Sequence, residues 1–304
     1  MVAPAVEAPV VIGLDVGGTK ILSGLVDRDG HVVAEHEVPS PDGSEEGVLA
    51  ALDDAVEALL DDRVAAIGYG IPANLERGSG RILRAMNLPL DDVDLASRSR
   101  ARFGFPVGVE NDASAATLAE WRRGAGRGTQ NFLMLTLGTG VGGGIVIDGR
   151  LFRGWAELGH VVVQEGGEEC TCGGRGHLEV LASGSAADRL AQALYGPDAD
   201  AHVLVERARA GDGNAREALA RIGGSLGAAI ASLVNVFDPE LVVVGGGFGA
   251  AAGDLVLEPA RAAARAETIF PANGTLRVVP AELGPEAGLV GAGLVAFEAL
   301  DGTR

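Results

Sequence analysis

Twice along this chain an apolar run breaks into a glycine turn carrying a threonine and then returns as a second apolar run. Residues 10–14 read as a buried strand ending at Asp15; Val16, Gly17, Gly18, Thr19 and Lys20 follow, and the apolar run 21–26 stops at the turn signal Asp27-Arg28-Asp29-Gly30. Residues 132–137 form a second such strand, Gly138, Thr139, Gly140, Val141, Gly142, Gly143 and Gly144 form its turn, and residues 145–147 return to Asp148-Gly149. One glycine hairpin is as readily plain turn chemistry as a binding site. A unit that occurs twice weakens that reading and points to an internally duplicated architecture.

These turns have the size and chemistry of phosphate cradles. Glycines let backbone N–H groups approach phosphate oxygens, Thr19 adds a hydroxyl, and Lys20, the single lysine of the chain, adds a point charge. Neither turn is a Walker A loop, because G-x-x-x-x-G-K-[ST] is missing and no helix follows the first. A third cluster, Gly245, Gly246 and Gly247, ends the apolar run 241–244, after a long helix-like stretch over 215–236 and a turn at Asp238-Pro239. It suits close approach of an adenine ring or ribose, and tight strand-to-helix packing explains it equally well.

The only two cysteines of the 304 residues, Cys170 and Cys172, arrive as C-x-C inside residues 154–179, with His177 five residues on and His160 ten residues back. Two thiolates and two imidazoles can close a tetrahedral zinc site, and Gly173, Gly174 and Gly176 let the backbone wrap an ion. A disulfide across one intervening residue is disfavoured by bond geometry. Glu157 and Glu179 bracket these ligands, and carboxylates on a rigid metal-clipped loop are good acceptors for the hydroxyls of a polyol. Elsewhere, residues 107–109 read as a short strand, Glu110-Asn111-Asp112 ends it, and the alanine-rich stretch 113–121 reads as a helix. Asp112 therefore stands at a strand-to-helix junction, where it can serve as an N-cap or as a base near the phosphate turns.

Composition narrows the partners. A formal charge of -18, from 42 acidic and 24 basic residues, opposes broad binding of a polyanion, so nucleic acid is not expected as a main partner. No run of 18 uncharged apolar residues and no signal-peptide pattern is present, so neither a membrane partner nor export is expected and a cytoplasmic location is. Residues 1–8, with two prolines, read as a loose tail, and the acidic helix 45–60 as a solvated amphipathic face. The length predicts two domains with a cleft.

Taken together, Asp15-Val-Gly-Gly-Thr-Lys20, Asn111-Asp112 with Glu120, Leu137-Gly-Thr-Gly-Val-Gly-Gly-Gly144, Glu157-Leu-Gly-His160 and Cys170-x-Cys-Gly-x-x-Gly-His-x-Glu179 resemble the ROK family of sugar kinases and sugar-responsive repressors, most closely its bacterial glucokinases. The likeness runs over residues 11–296. It implies an α/β chain with the actin-like ATPase (ribonuclease H-like) fold, two α/β domains around a cleft, divided as residues 1–112, completed by the C-terminal helix 286–304, and residues 113–285, which carry the zinc loop. It further implies phosphorylation of glucose or a related hexose by Mg-ATP, and a homodimer or higher homo-oligomer. Asp15 would orient the magnesium; Gly17, Gly18, Thr19, Lys20, Gly138, Thr139, Gly140 and Gly142 would meet the phosphates, and Gly245, Gly246 and Gly247 the adenosine. Asp112 would be the general base. Asn111, Glu157, His160 and Glu179 would bind the sugar, and His160, Cys170, Cys172 and His177 would hold a structural zinc.

Three departures from the family pattern stand out. The usual third cysteine is His177; the G-x-P-G-x-x-D loop reads Gly70-Ile-Pro-Ala-Asn-Leu-Glu76, with Ala73 and Glu76 replacing glycine and aspartate; and the Gly-Glu-x-Gly-His motif opens on Ala156. Another hexose, an N-acetylhexosamine or a polyphosphate donor stays open on these residues. So does a sugar-responsive regulator without catalysis, which the acidic charge and retained Asp112 oppose.

Overall fold

The computed structural model describes residues 8–41, 43–76 and 78–303, so all but Ala8 of the expected tail lies outside the described residues. The chain divides into two compact units: Met1–Arg123 with Arg153–Trp155 and Glu286–Arg304, and Gly124–Phe152 with Ala156–Pro285.

In the first unit the apolar runs form β1 (Val10–Val16), β2 (Lys20–Val26), β3 (Val32–Pro39) and β4 (Val64–Ile71); then come β5 (Ala73–Leu75), β6 (Ile82–Ala85), β7 (Asp91–Val93) and β8 (Val107–Asn111). The main sheet has the order β3-β2-β1-β4-β8, with antiparallel pairing through β3, β2 and β1 and parallel pairing of β1 to β4 and β4 to β8. Parallel strands bury both faces, which suits the near-continuous apolar reading of β1 and β4. One face is covered by the helix Ala287–Leu300, which buries Leu289, Val290 and Phe297. Its approach depends on glycines: a Cβ on Gly68 of β4 would overlap the backbone of Ala292, and one on Gly291 would overlap that of Ala115. A methyl added at such a contact destabilises by roughly 1–3 kcal/mol or more.

The second unit repeats the plan. Its strands are β9 (Phe132–Leu137), β10 (Val141–Ile147), β11 (Arg150–Leu151), β12 (Leu241–Gly245) and β13 (Val278–Pro280), in the order β11-β10-β9-β12-β13. The first three pair antiparallel and the last two join in parallel, as in the other unit. The duplication read from the two glycine turns is thus a duplication of sheet topology. The helix Gly213–Phe237 is long and apolar enough, by length and composition, to cross a membrane. It buries Leu219, Ile222, Leu226 and Ile230 in this unit's core, packed with the helix Asp254–Glu267.

Two local expectations change. Gly142, Gly143 and Gly144 belong to strand β10, opposite Thr136, Leu135 and Met134, so the turn proper is residues 138–140. A Cβ on Gly143 would come within 2.8 Å of Leu158, which explains a glycine inside that strand. The acidic helix, Glu45–Glu57, is not uniformly solvated: Asp53 is buried and receives the Arg98 guanidinium at 2.7 and 2.6 Å.

Candidate active site

Register brings the carboxyl ends of three parallel strands together in the first unit. Asp15 on β1 lies beside Gly70 on β4, and Ile71 beside Asn111 on β8. Asp112 is the first residue of the helix Asp112–Arg123. Of the two roles open to it, capping falls to its neighbour: Asn111 Oδ1 accepts the Ser114 N–H at 3.1 Å. A Cβ on Gly70 would stand 3.3 Å from the Ala115 Cβ, a tight contact, and 3.8 Å from the Asp112 Cα, an ordinary one.

Both carboxylates are raised, chiefly by burial. Burial first, and then the charge of Asp112, push Asp15 up to about 6, against a smaller opposing pull from Lys20. Burial also raises Asp112, partly offset by hydrogen bonds from the Ala113 and Asp112 amides and the Asn111 side chain. A pair of oxygen ligands disfavoured as bare anions suits a hard divalent cation such as magnesium. Sequence reasoning missed Gly288, at the start of the C-terminal helix, where any Cβ would overlap the Asp15 carboxylate. Only contact across the whole length of the chain reveals it.

The neighbouring turn is small and open. Gly17 N–H donates to the Lys20 carbonyl at 2.9 Å, and Gly18, Thr19 and Lys20 are exposed. Lys20 Nζ donates to Glu37 Oε2 at 2.7 Å, an exposed ion pair of the kind that contributes little to stability. That bond, more than any other influence, raises the lysine's pKa. Ala73 is buried, and its carbonyl accepts weakly from Asn111 Nδ2 at 3.5 Å. Glu76 accepts the Ser79 hydroxyl at 2.6 Å within its own hairpin.

In the second unit the turn 138–140 is tied to the start of the helix Gly184–Tyr195. Gly184 N–H donates to the Gly138 carbonyl at 2.7 Å, and Ser185 N–H to that of Thr139 at 3.3 Å. Gly245 closes β12 opposite Thr136, and Gly246, at φ +84°, lies so close on Leu137 that only glycine fits. Gly247 opens the short helix Gly247–Ala252. Glu179, in the first turn of the helix Leu178–Ala182, accepts the Val141 N–H at 3.0 Å and lies against Gly140, where a Cβ would overlap its carboxylate.

Glu179 also reaches the cysteine loop. Cys170 Sγ stands 4.0 Å from Glu179 Oε1 and 3.7 Å from His160 Nδ1; Cys172 Sγ stands 3.2 Å from His177 Nδ1. The ligand atoms of all four residues lie within 4.8 Å of one another, and both cysteines are free thiols. A tetrahedral zinc, with bonds of about 2.3 Å to sulfur and about 2.0–2.1 Å to nitrogen, separates its ligand atoms by roughly 3.3–3.8 Å. The cluster fits that spacing with small adjustments. Gly174 is where it is because the His177 ring lies on it, 2.6 Å from Nε2 to the position a Cβ would take. Glu157 is exposed at the entrance to the short 3-10 turn Leu158–His160, and Ala156 before it takes φ +47°, a left-handed conformation that glycine holds more readily.

The five-stranded order repeated in both units, with functional side chains at the carboxyl ends of the parallel strands, is that of the actin-like ATPase fold. A model of the ROK family matches residues 11–299, and the chain belongs to that family. A glucokinase of Streptomyces coelicolor is 37% identical over 313 residues, covering 94% of this chain and 97% of that one. A glucokinase of Thermotoga maritima is 35% identical over 314 residues, covering 96% and 98%. Among solved structures, a ROK family glucokinase from Streptomyces griseus in complex with glucose and AMPPNP superposes with a TM-score of 0.83, at 36% identity over 95% of this chain and 99% of that one.

Proposed function

We propose that this chain is a cytoplasmic ATP-dependent hexose kinase that transfers the terminal phosphoryl group of Mg-ATP to the 6-hydroxyl of glucose. The observation that carries the reading is the paired, raised carboxylates of Asp15 and Asp112, with capping of the following helix left to Asn111. Likeness to glucokinases over nearly the whole chain, one of them solved with glucose and a nucleotide analogue, supports the substrates.

Phosphoryl transfer needs positioning, charge neutralisation and an acceptor for the alcohol's proton. Asp112 takes the proton of the sugar hydroxyl, and Asp15 orients the magnesium of Mg-ATP, which neutralises phosphate charge. Backbone N–H groups of residues 17–20 and 138–142 receive the phosphates; Lys20 exchanges Glu37 for a phosphate oxygen. Residues 245–247 border the adenosine. Asn111, Glu157, His160 and Glu179 bind the remaining sugar hydroxyls. His160 directs Nδ1 to the cysteine loop, leaving Nε2 for the sugar. His160, Cys170, Cys172 and His177 would hold a zinc, which would be structural because four protein ligands leave no position for a reacting water. Such an ion would fix Glu179 and His160.

Incubation with ATP and glucose, with the product identified by phosphorus NMR, tests the reading. Glucose 6-phosphate and ADP in equal amounts support it; ATP hydrolysis with no sugar phosphate rejects it.

A further inference from the structure

Arg153 takes no part in that chemistry. The stretch Arg153–Trp155 packs with the first unit, and the Arg153 guanidinium lies between two carboxylates. Nη1 donates to Glu110 Oε2 at 3.0 Å and Nη2 to Glu298 Oε2. Glu110 sits on β8, 8% exposed, and its other oxygen accepts the Asn111 N–H at 3.2 Å. Glu298 is on the C-terminal helix, whose Gly288 abuts Asp15. All three charged residues line a pocket of about 590 Å³ that also takes in Ala73 and Asn111.

A single guanidinium therefore compensates two carboxylates whose side chains are only 11% and 22% exposed. Removing it takes a charged donor away from both carboxylates at once, and losing one partner of a partly buried ion pair is costly. The group most directly affected is the Asn111 backbone, because Glu110 holds it through the oxygen that Arg153 leaves free.

We infer that Arg153 is a positioning residue for hexose binding: it holds Glu110, Glu110 sets Asn111, and Asn111 meets the sugar and caps the helix that begins with Asp112. The inference rests on the hexose-kinase reading and adds to it a residue that touches neither substrate. It is specific in sign, because disturbance at Asn111 reaches the sugar before it reaches ATP.

The test is steady-state kinetics of the full chain on whichever hexose it turns over best, with Arg153→Met, Arg153→Lys, Glu110→Gln and Glu298→Gln. Arg153→Met raises the hexose KM about tenfold and lowers kcat, the scale of a small misplacement at a reacting centre, while the ATP KM stays within about twofold. Arg153→Lys recovers most of the loss. Glu298→Gln leaves the Glu110 contact in place and shifts the hexose KM by no more than about twofold, less than Glu110→Gln does. Fluorescence of Trp155, 60% exposed and two residues from Arg153, gives hexose affinity without turnover. An unchanged hexose KM in folded Arg153→Met, or equal rises in both KM values, overturns the inference. If Arg153→Met does not fold, a Glu110→Gln protein with wild-type hexose affinity overturns it equally. A wild-type chain that turns over no hexose removes the kinase reading, and this inference with it.

Discussion

Two aspartates carry most of what is specific to this molecule. With Asn111 as the cap, the Asp112 carboxylate is left available to act as the proposed base, and removing a positioned base lowers turnover by about two orders of magnitude or more. Asp112→Asn is therefore expected to retain glucose binding by calorimetry and to lose turnover on that scale; near-normal turnover would return Asp112 to a structural role. The pH dependence follows from the raised values. Asp15 takes up a proton near 6 and Asp112 is raised as well, so kcat/KM falls as pH drops through about 6. A carboxylate raised by folding gives stability that is full below its unfolded value of 3.8 and lost as pH rises through the folded one. Asp15→Asn is accordingly expected to raise Tm at pH 8, by a margin that shrinks toward pH 4, while activity is lost. A margin independent of pH contradicts the electrostatic account. Neither shift is visible in the sequence, because both come first from burial in the folded chain, and that of Asp15 also from a carboxylate almost a hundred residues later.

The glycine turns were legible because apolar runs flank them, whereas their exact extent was not. A run of three glycines reads as turn, yet pairing to Thr136, Leu135 and Met134 draws Gly142, Gly143 and Gly144 into β10. Likewise Asn and Asp are both good caps, so the sequence leaves the helix start uncertain by one residue, and register with Ile71 decides it. The cysteine loop was legible as a ligand set, because cysteine occurs nowhere else. Its coupling to the turn 138–140 through Glu179 was not. From that coupling, Cys172→Ala is expected to lose zinc, about one ion per chain in the four-ligand reading, and to weaken glucose binding with it. His177→Cys keeps the ion. Elemental analysis of fully active protein that finds no metal contradicts both. Ala156, at φ +47°, supplies a separate check: Ala156→Gly relieves about 1–2 kcal/mol of left-handed strain and gives back about 0.4–1 kcal/mol in unfolded-chain entropy. Chemical denaturation should show a net gain of up to about 1.6 kcal/mol.

Two sheets of one topology, each with a glycine turn after its first strand, explain why a chain of 304 residues shows its internal repeat so plainly. The candidate residues divide between the halves: Asp15 and Asp112 belong to the first unit, and the cysteine cluster with Glu179 to the second. The C-terminal helix itself is expected from the sequence; what stays hidden is its close packing, which matters only once Gly68, Gly13 and Asp15 are folded beneath it. In the proposed site, remote contacts from Glu157, His160 and Glu179 to hydroxyls away from the reacting one would raise kcat as well as affinity, so sugar identity would be read at the level of turnover. The most direct measurement is therefore coupled ADP release with ATP, comparing kcat/KM for glucose, mannose, fructose, N-acetylglucosamine and N-acetylmannosamine. Glucose turned over most efficiently is the predicted result; a higher kcat/KM for any of the other four contradicts the glucose assignment, and no hexose-dependent ADP release contradicts the kinase.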